Sequence, residues 1–499
     1  MAMIDNLLLG LSEAGTWMNL GFCFIGVMLG TVIGILPGLG PVATMSILLP
    51  ITFGLPAPTA LIMLAGIYYG AQYGGSTTAI LVNLPGEASS VITAIDGYKM
   101  ALSGRAGAAL AIAALGSFFA GTVSTMLIAA LGPLLTKLAQ VFWPTEYFSL
   151  MVLGLVCCTI LAHGSVIKSI GMTFLGLALG TVGSDVTSGY LRFTFGFIDL
   201  SDGLDFVTVA TGLFGIAEIL RNLENPERRS IVTQRISRLW PSKTEFAQAW
   251  PAVVRGTAIG SILGTLPGGG ATLSSFASYT LEKKLSAHPE KFGKGAIEGV
   301  AGPESANNAG AQAAFIPLLS LGIPSNAVMA VMIGALMIQG IAPGPMVMSQ
   351  QPALFWGLIV SMWIGNAMLL VINLPMVGLW VRLLKVPYDL LYPVVLIFCC
   401  IGVYTISNNT FFIIVMACFA LGGYILLKLE CELAPLLLSF VLSPLIEENL
   451  RRALLLSRGD PMTFVTRPIS LGLLIAAVLL LAMVCLPYIN RTREKAFAE

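Results

Sequence analysis

The chain has 499 residues, of which 56% are hydrophobic and only 10% are charged, and its formal net charge is +1. Soluble domains carry about 25% charged residues because their surfaces are hydrated. The composition therefore excludes a large soluble protein, and neither the net charge nor any block of basic residues indicates nucleic-acid binding.

Five long runs without Asp, Glu, Lys or Arg predict membrane-spanning segments: 18–36, 107–135, 256–281, 390–427 and 468–490. A helix needs roughly 20 predominantly apolar residues to cross about 30 Å of hydrocarbon. The alternation of polar and apolar residues that marks membrane strands is missing, so the segments are helical. We predict an all-α integral membrane protein with about ten to twelve transmembrane or re-entrant helices.

A glycine-rich element near the start of the chain recurs in its second half. Residues 26–40 share their spacing of Gly, Leu and Pro with residues 256–270. A Gly-Ala-Gln triplet at 70–72 recurs at 310–312, and each triplet is followed by a proline. Ordered matches of this kind predict an internal duplication.

The duplication divides the chain into four predicted segments. Residues 1–220 form the first membrane repeat with an N-terminal segment, and residues 256–451 form the second repeat. Residues 221–255 connect the repeats, and residues 452–499 hold a C-terminal span and a tail. The connector has seven basic and three acidic residues, which predicts a cytoplasmic location.

The acidic segment 185–205 is predicted to face the periplasm. It has four acidic residues and one arginine. A first repeat that begins outside and ends inside makes the second repeat its mirror image, so the repeats are predicted to be inverted. Four arginines oppose this prediction, because they would then face the periplasm: Arg451, Arg452, Arg458 and Arg467.

Each repeat contains a Gly/Pro interruption at the same place. The residues are Pro37, Gly38 and Gly40 in the first repeat, and Pro267, Gly268, Gly269 and Gly270 in the second. Proline breaks a helix, and glycine lets a ligand approach the backbone. The next helix begins with unpaired N–H groups, which suit a carboxylate. We predict a substrate site at the paired breaks; the alternative is a kink with close helix packing.

A polar element follows each break at membrane depth. Its candidate residues are Ser76, Thr77, Thr78, Asn83, Pro85 and Gly86 in the first repeat, and Asn307, Asn308, Gln312, Pro324, Ser325 and Asn326 in the second. These groups either line a hydrated site for substrate and cation or form hydrogen bonds between helices. A Na⁺ ion near Asn83 and Asn326 is one interpretation, although no metal site is firmly assigned and no other cofactor is expected.

The two longest uncharged runs, 14–86 and 305–381, contain no Lys or Arg, so a multiply charged anion would meet no fixed cation there. A helix N-terminus supplies only about half a charge. We therefore expect Na⁺ or H⁺ to be coupled to transport of the anion. Glu87, Glu298 and Glu304 lie at the edges of the uncharged runs; they bind the cation or, in the interpretation we favour, lie in the membrane interface.

Other functional classes lack their motifs. The chain has no HExxH, no GxSxG, no GxxxxGK[ST] and no Cys/His cluster, so we expect no enzyme activity. A carboxylate-permeable channel is the alternative to a carrier, because polar groups at membrane depth serve either one.

The chain resembles the large membrane subunit of the tripartite tricarboxylate transporter family. The similarity lies in GILPGLGP at 34–41, GIYYGAQYGGSTTAILVNLPGE at 66–87, FGKGAIEGVAGPESANN at 292–308 and EENLRR at 447–452. The resemblance implies a secondary transporter that imports citrate or a related carboxylate across the bacterial inner membrane, driven by Na⁺ or H⁺. It also implies two partners, a small transmembrane subunit and a periplasmic solute-binding protein. A homo-oligomer is left open.

Overall fold

The computed structural model describes residues 2–36, 40–83, 86–139, 141–162, 165–185, 187–224, 239–266, 268, 270–383 and 388–485. These residues are almost entirely helical, with one short pair of antiparallel strands, β1 (Gly183–Ser184) and β2 (Leu191–Arg192). The prediction of an all-α membrane protein is confirmed.

Helices of the first half are α1 (Ala2–Ala14), α2 (Trp17–Ile35), α3 (Pro41–Leu48), α4 (Ala57–Val82), α5 (Val91–Leu102), α6 (Ala106–Ala139), α7 (Pro144–Leu161), α8 (Val166–Leu179), α9 (Phe206–Ala210) and α10 (Ala217–Glu224). Short 3-10 helices occupy Leu49–Gly54, Ala88–Ser90, Ile198–Leu200 and, in the second half, Pro289–Lys291. A π-helical turn at Thr211–Ile216 joins α9 to α10.

Helices of the second half are α11 (Lys243–Leu263), α12 (Gly270–Leu285), α13 (Glu298–Ala313), α14 (Phe315–Leu321), α15 (Ala327–Ile338), α16 (Met346–Gln350), α17 (Pro352–Asn373), α18 (Val377–Leu383), α19 (Tyr388–Ser407), α20 (Thr410–Lys428), α21 (Ala434–Leu456), α22 (Thr463–Thr466) and α23 (Pro468–Cys485). Helix α11 begins inside the range assigned to the connector, and the domain boundaries stay predictions.

Within the described ranges, five helical segments are long and apolar enough to cross a membrane: Trp17–Ile35, Ala106–Lys137, Phe206–Glu224, Pro352–Asn373 and Thr410–Lys428. Shorter apolar helices include α8, α15 and α23. The predicted total of about ten to twelve transmembrane or re-entrant helices stays a prediction.

Both repeats interrupt a helix where the sequence predicts it. In the first, α2 ends at Ile35 and α3 begins at Pro41, with Gly40 as its N-cap. In the second, α11 ends at Leu263 and α12 begins at Gly270. The duplicated glycine and proline spacing therefore produces the same helix–break–helix unit twice.

Glycines spaced four apart bring α2 into backbone contact with α4. A Cβ atom on Gly26, Gly30 or Gly34 would lie 2.3–2.4 Å from a backbone carbonyl oxygen of α4, far below van der Waals distance. Only glycine permits this approach, which places the two helices closer than ordinary side chains allow.

The second repeat packs in the same way. A Cβ atom on Gly256, Gly260 or Gly264 would lie 2.2–2.4 Å from a backbone carbonyl oxygen of α13. Each break thus follows a helix that is pressed against the polar helix of its own repeat, α4 or α13.

Ion pairs lie at both ends of the long helix α6. At its N-terminal end, Arg105 pairs with Glu245 at 2.9 Å. Beyond its C-terminal end, Glu146 near the start of α7 pairs with Arg467. A helix of 34 residues is about 51 Å long, so these pairs lie on opposite sides of the protein.

Arg451 lies beside the acidic segment 185–205. Arg451 pairs with Asp185 and also with Glu447 at 2.7 Å, while Arg192 pairs with Glu447 at 2.8 Å. The backbone N–H of Ser188 and the Arg451 guanidinium help to hold the pKa of Asp185 well below its usual range. The end of the second repeat and the acidic segment therefore lie on the same side of the molecule. Inversion of the repeats and the periplasmic location of this side stay predictions.

Candidate functional site

The centre of the molecule is built on two polar helices that are buried along their whole length. On α4, every residue from Thr59 to Val82 is buried. On α13, every residue from Gly299 to Ala313 is buried. Helix α13 of the second repeat packs against α4, α5 and α6 of the first, so the polar groups of both repeats meet at the interface between them.

Glu304 is a fully buried acidic residue of this interface. Its side chain is 0% exposed. Oε2 lies 2.5 Å from the Ser76 hydroxyl on α4, and Oε1 lies 2.6 Å from the Thr93 hydroxyl on α5. Two helices of the first repeat thus bind one carboxyl group of the second.

Glu87 forms a second carboxyl group in the same region, with 9% of the residue exposed. The Ser89 hydroxyl binds its Oε1, and the Asn307 amide donates to the same oxygen at 3.1 Å. Asn307 lies one helical turn beyond Glu304 on α13. That helix therefore contributes groups to two acidic clusters, one formed by Glu304 with Ser76 and Thr93 and the other by Glu87 with Ser89 and Asn307. The Ser89 hydroxyl also lies 3.1 Å from Gln72 Oε1.

A small cleft opens beside Glu304. It is lined by Tyr73, Ser76, Thr77, Leu110, Ala113, Ala114, Ser117 and Glu304. The Asn308 amide donates to the Ser117 hydroxyl at 2.7 Å, which fixes α13 against α6. The cleft joins polar groups of α4, α6 and α13 next to the buried carboxyl group of Glu304.

The turns that end the two polar elements have matching backbones. Asn83 (φ 59°, ψ 25°) ends α4, and Gly322 (φ 72°, ψ 24°) ends α14, both in the left-handed region. A few residues later, Glu87 (φ −152°, ψ 164°) and Asn326 (φ −156°, ψ 175°) are N-caps. The duplication is therefore visible at the level of single residues.

The second break is held next to the turn of its own repeat. The Gly268 N–H donates to Ser325 O at 2.7 Å, and a Cβ on Gly270 would lie 3.3 Å from the Asn326 amide nitrogen. That amide donates to the Tyr68 hydroxyl on α4 at 3.3 Å. The second break therefore reaches the first repeat through Asn326.

The first break lies beside its own turn in a similar way. Gly86 approaches so closely that a Cβ atom would lie 2.0 Å from Gly34 O. Helix α3, which begins after Gly40, packs against α15 of the second repeat, while α12 packs against α5 and residues 88–90 of the first. The helix that follows each break thus contacts the opposite half of the molecule.

Five predicted site residues lie outside the described residues: Pro37, Gly38, Pro85, Pro267 and Gly269. The helices that follow the breaks, α3 and α12, lie at the interface between repeats. A substrate site formed jointly by the two breaks stays a prediction.

The remaining candidates divide between the interface and ordinary helix contacts. Two candidates bind the buried carboxyl groups, Ser76 at Glu304 and Asn307 at Glu87. Two others lie at the cleft, Thr77 in its lining and Asn308 against Ser117. Thr78 donates to Ile35 O at 2.9 Å, as expected for a hydrogen bond between helices.

The other residues of the turns also have structural surroundings. Asn83 is exposed, and the side-chain oxygen Oδ1 of Asn326 accepts from Met329 N at 2.9 Å as a helix cap. Pro324 and Ser325 are buried in the turn before it. The side-chain oxygen Oε1 of Gln312 is buried with no hydrogen-bond partner among the described residues. The suggested Na⁺ ion near Asn83 and Asn326 stays untested.

Sequence reasoning gave too little weight to Glu87 and Glu304, since it favoured a membrane interface for both. The structure places them in the core between the repeats. The spacing of Glu304, Asn307 and Asn308 was a usable signal, because residues three and four apart lie on one face of a helix. Thr93 and Ser117 offered no such signal.

Comparison with known proteins identifies relatives along the whole chain. The sequence model of the tripartite tricarboxylate transporter TctA family matches residues 20–438. An Agrobacterium vitis protein described as an uncharacterized 52.8 kDa protein in the TAR-I ttuC' 3' region is 56% identical over 499 residues, covering 100% of this chain and 99% of the relative. A second A. vitis protein, an uncharacterized protein in the TAR-II ttuC' 3' region, is 56% identical over 240 residues, covering 48% of this chain and 99% of that protein. No solved structure matches significantly.

Proposed function

Because the chain belongs to the tripartite tricarboxylate transporter TctA family, we propose that it is the large membrane subunit of a tripartite secondary transporter. It imports a tricarboxylate such as citrate, or a related carboxylate. The observation that carries this proposal is the interface between repeats, where two broken helices and two buried polar helices come together. This is the arrangement in which transporters with internal repeats bind substrate near the middle of the membrane.

Neutral donors suit a carboxylate substrate at this interface. Helices α3 and α12 begin at the breaks, where their first N–H groups lack partners within the helix. The positive ends of two helix dipoles attract an anion without a buried lysine or arginine. A substrate with several negative charges needs further neutralisation, so a coupled cation, Na⁺ or H⁺, enters with it.

The transporter acts in the bacterial inner membrane with two partners. A periplasmic solute-binding protein delivers the carboxylate, and a small transmembrane subunit completes the membrane complex. The family description, which names a tripartite system, supports both partners. Residues 185–205 and the Arg451 end of α21 then form the periplasmic surface.

Uptake of labelled citrate into right-side-out membrane vesicles tests the proposal. Vesicles from cells that express the chain with its two partners should accumulate citrate above the outside concentration when a Na⁺ or proton gradient is imposed. Collapse of both gradients should abolish accumulation. Equilibration without accumulation under every gradient would instead establish a channel, and failure with a panel of di- and tricarboxylates would reject a carboxylate carrier.

A further inference from the structure

Glu304 and Glu87 are buried carboxyl groups whose negative charge is not balanced by a neighbouring base. Among the ion pairs of the described residues, none involves either side chain. An ionised carboxylate is costly to remove from water unless a counter-charge accompanies it. Two such groups at one interface therefore require a proton or another cation.

The hydrogen bonds of Ser76 indicate where a proton is held. Its single hydroxyl hydrogen faces two acceptors, Gln72 O at 2.9 Å and Glu304 Oε2 at 2.5 Å. An ionised Glu304 would compete with the Gln72 carbonyl for that hydrogen. A protonated Glu304 removes the conflict, because the carboxyl group donates to Ser76 and Ser76 donates to Gln72 O.

At Glu87, too, one hydroxyl hydrogen lies between two acceptor oxygens. The Ser89 hydroxyl faces both Glu87 Oε1 and Gln72 Oε1. In addition, Asn307 Oδ1 is fully buried and has no hydrogen-bond partner among the described residues, although its amide nitrogen binds Glu87. An unpaired acceptor beside a carboxyl group is the position at which an added proton forms a new hydrogen bond.

The other titratable groups around α13 are already bound. Tyr73 on α4 donates to Asn366 at 2.8 Å. Asp96 on α5 accepts from the Tyr279 hydroxyl and from two backbone N–H groups, and Glu282 on α12 pairs with Arg255 at 2.6 Å. The small cleft beside Glu304 is lined by Tyr73, Ser76, Thr77 and Ser117 among others, and neither Asp96 nor Glu282 lines it.

We propose that Glu304, with Glu87 beside it, carries the proton that is coupled to carboxylate transport. This inference rests on the proposed function and specifies H⁺ as the coupling ion. Proton loss from Glu304 leaves Ser76 and Thr93 bound to a negative charge between the repeats, and proton gain neutralises it. The interface between α4, α5 and α13 therefore changes its charge with each transport cycle.

Infrared difference spectroscopy on the purified full-length protein tests the site without requiring transport. Between acidic and alkaline pH, the wild type should gain and lose the carbonyl band of a buried protonated carboxyl group. Glu304→Gln, which keeps the shape and neutral charge, should lose that band, while Glu304→Asp should retain it at a shifted frequency. Glu298→Gln, on the first turn of the same helix, is the matched control and should keep it. A spectrum of Glu304→Gln identical to wild type would overturn the proposal.

Citrate transport in membrane vesicles tests the coupling. A pH gradient of one unit supports about tenfold accumulation for one coupled proton. Glu304→Gln should lose this accumulation yet still exchange labelled for unlabelled citrate, because exchange needs no net proton movement. Wild-type uptake that follows Na⁺ and ignores the pH gradient would refute proton coupling. If the wild type transports no carboxylate, the proposed function fails, and the infrared band still decides whether Glu304 binds a proton.

Discussion

The turns after the two polar helices have nearly identical backbones but different chemistry. Glu87 and Asn326 occupy equivalent N-cap positions with almost the same φ and ψ. Glu87 presents a carboxyl group to Asn307 of the other repeat, whereas Asn326 presents an amide to Tyr68 of the other repeat. The two turns share the backbone geometry that brings each of them to the opposite half. They differ in that only the first turn has an acidic residue at the N-cap.

The largest expected effect tests whether the two halves share their packing. Gly30→Leu and Gly260→Leu should each destabilise the protein by about 3 kcal/mol, because overpacking a close helix contact forces the backbones apart. Thermal unfolding in detergent measures the loss. Gly21→Leu is the control, since a Cβ there meets no atom within 4 Å. A much larger effect in one half would show that the glycine contacts are not equivalent.

Exchange of the chemistry at the turns should affect transport next most strongly. Glu87→Asn gives the first turn the residue type of the second, and it removes hydrogen bonds to a carboxyl group that are worth about 1.5–3 kcal/mol. Citrate uptake should weaken about tenfold or more at fixed pH, with the protein still folded. Asn326→Asp, which retains the cap, should change uptake less. An equal loss of citrate uptake in the two variants would argue against a special role for the carboxyl group of Glu87 in the first half.

The loss of the cap at the second turn should have a smaller effect. Asn326→Ala removes the hydrogen bond to Met329 N, so it should lower the stability by about 1 kcal/mol. Tyr68→Phe removes only the hydrogen bond between the Asn326 amide and the Tyr68 hydroxyl, so its loss of stability is compared with that of Asn326→Ala. Thermal unfolding separates the two contributions. No change in the Asn326→Ala protein would show that the cap is not needed to hold the break.

The smallest effect concerns the ion pairs of Asp185 and their dependence on pH. The pKa of Asp185 is lower in the folded protein than in the unfolded chain, so its ionised form stabilises the fold. That stabilisation is present at neutral pH and is lost as the pH falls below about 4. Asp185→Asn should flatten this acid-side loss of thermal stability. An unchanged pH profile would show that the ion pairs of Asp185 with Arg451 and Arg192 do not stabilise the fold.

The sequence predicted those features that the duplication repeats. Glycine spacing gave the positions of both breaks, because close helix contacts and positive φ angles restrict the residue type directly. The acidic centre was harder to predict, since Glu87 and Glu304 lie 217 positions apart and only the fold brings them together. Hydropathy placed both at the ends of apolar runs, and it cannot distinguish a carboxyl group that faces headgroups from one that faces another helix.

The glycine contacts of α2 with α4 and of α11 with α13 also restrict how the molecule can move. Helices in backbone contact at three successive positions cannot slide past each other without a clash, so we expect each pair to move as one rigid body. A movement of one helix pair against the other would then change the contacts between the two pairs. The hydrogen bonds from Asn307 to Glu87 and from Asn326 to Tyr68 join the two repeats, so cross-links placed at these positions would test whether the repeats move relative to each other.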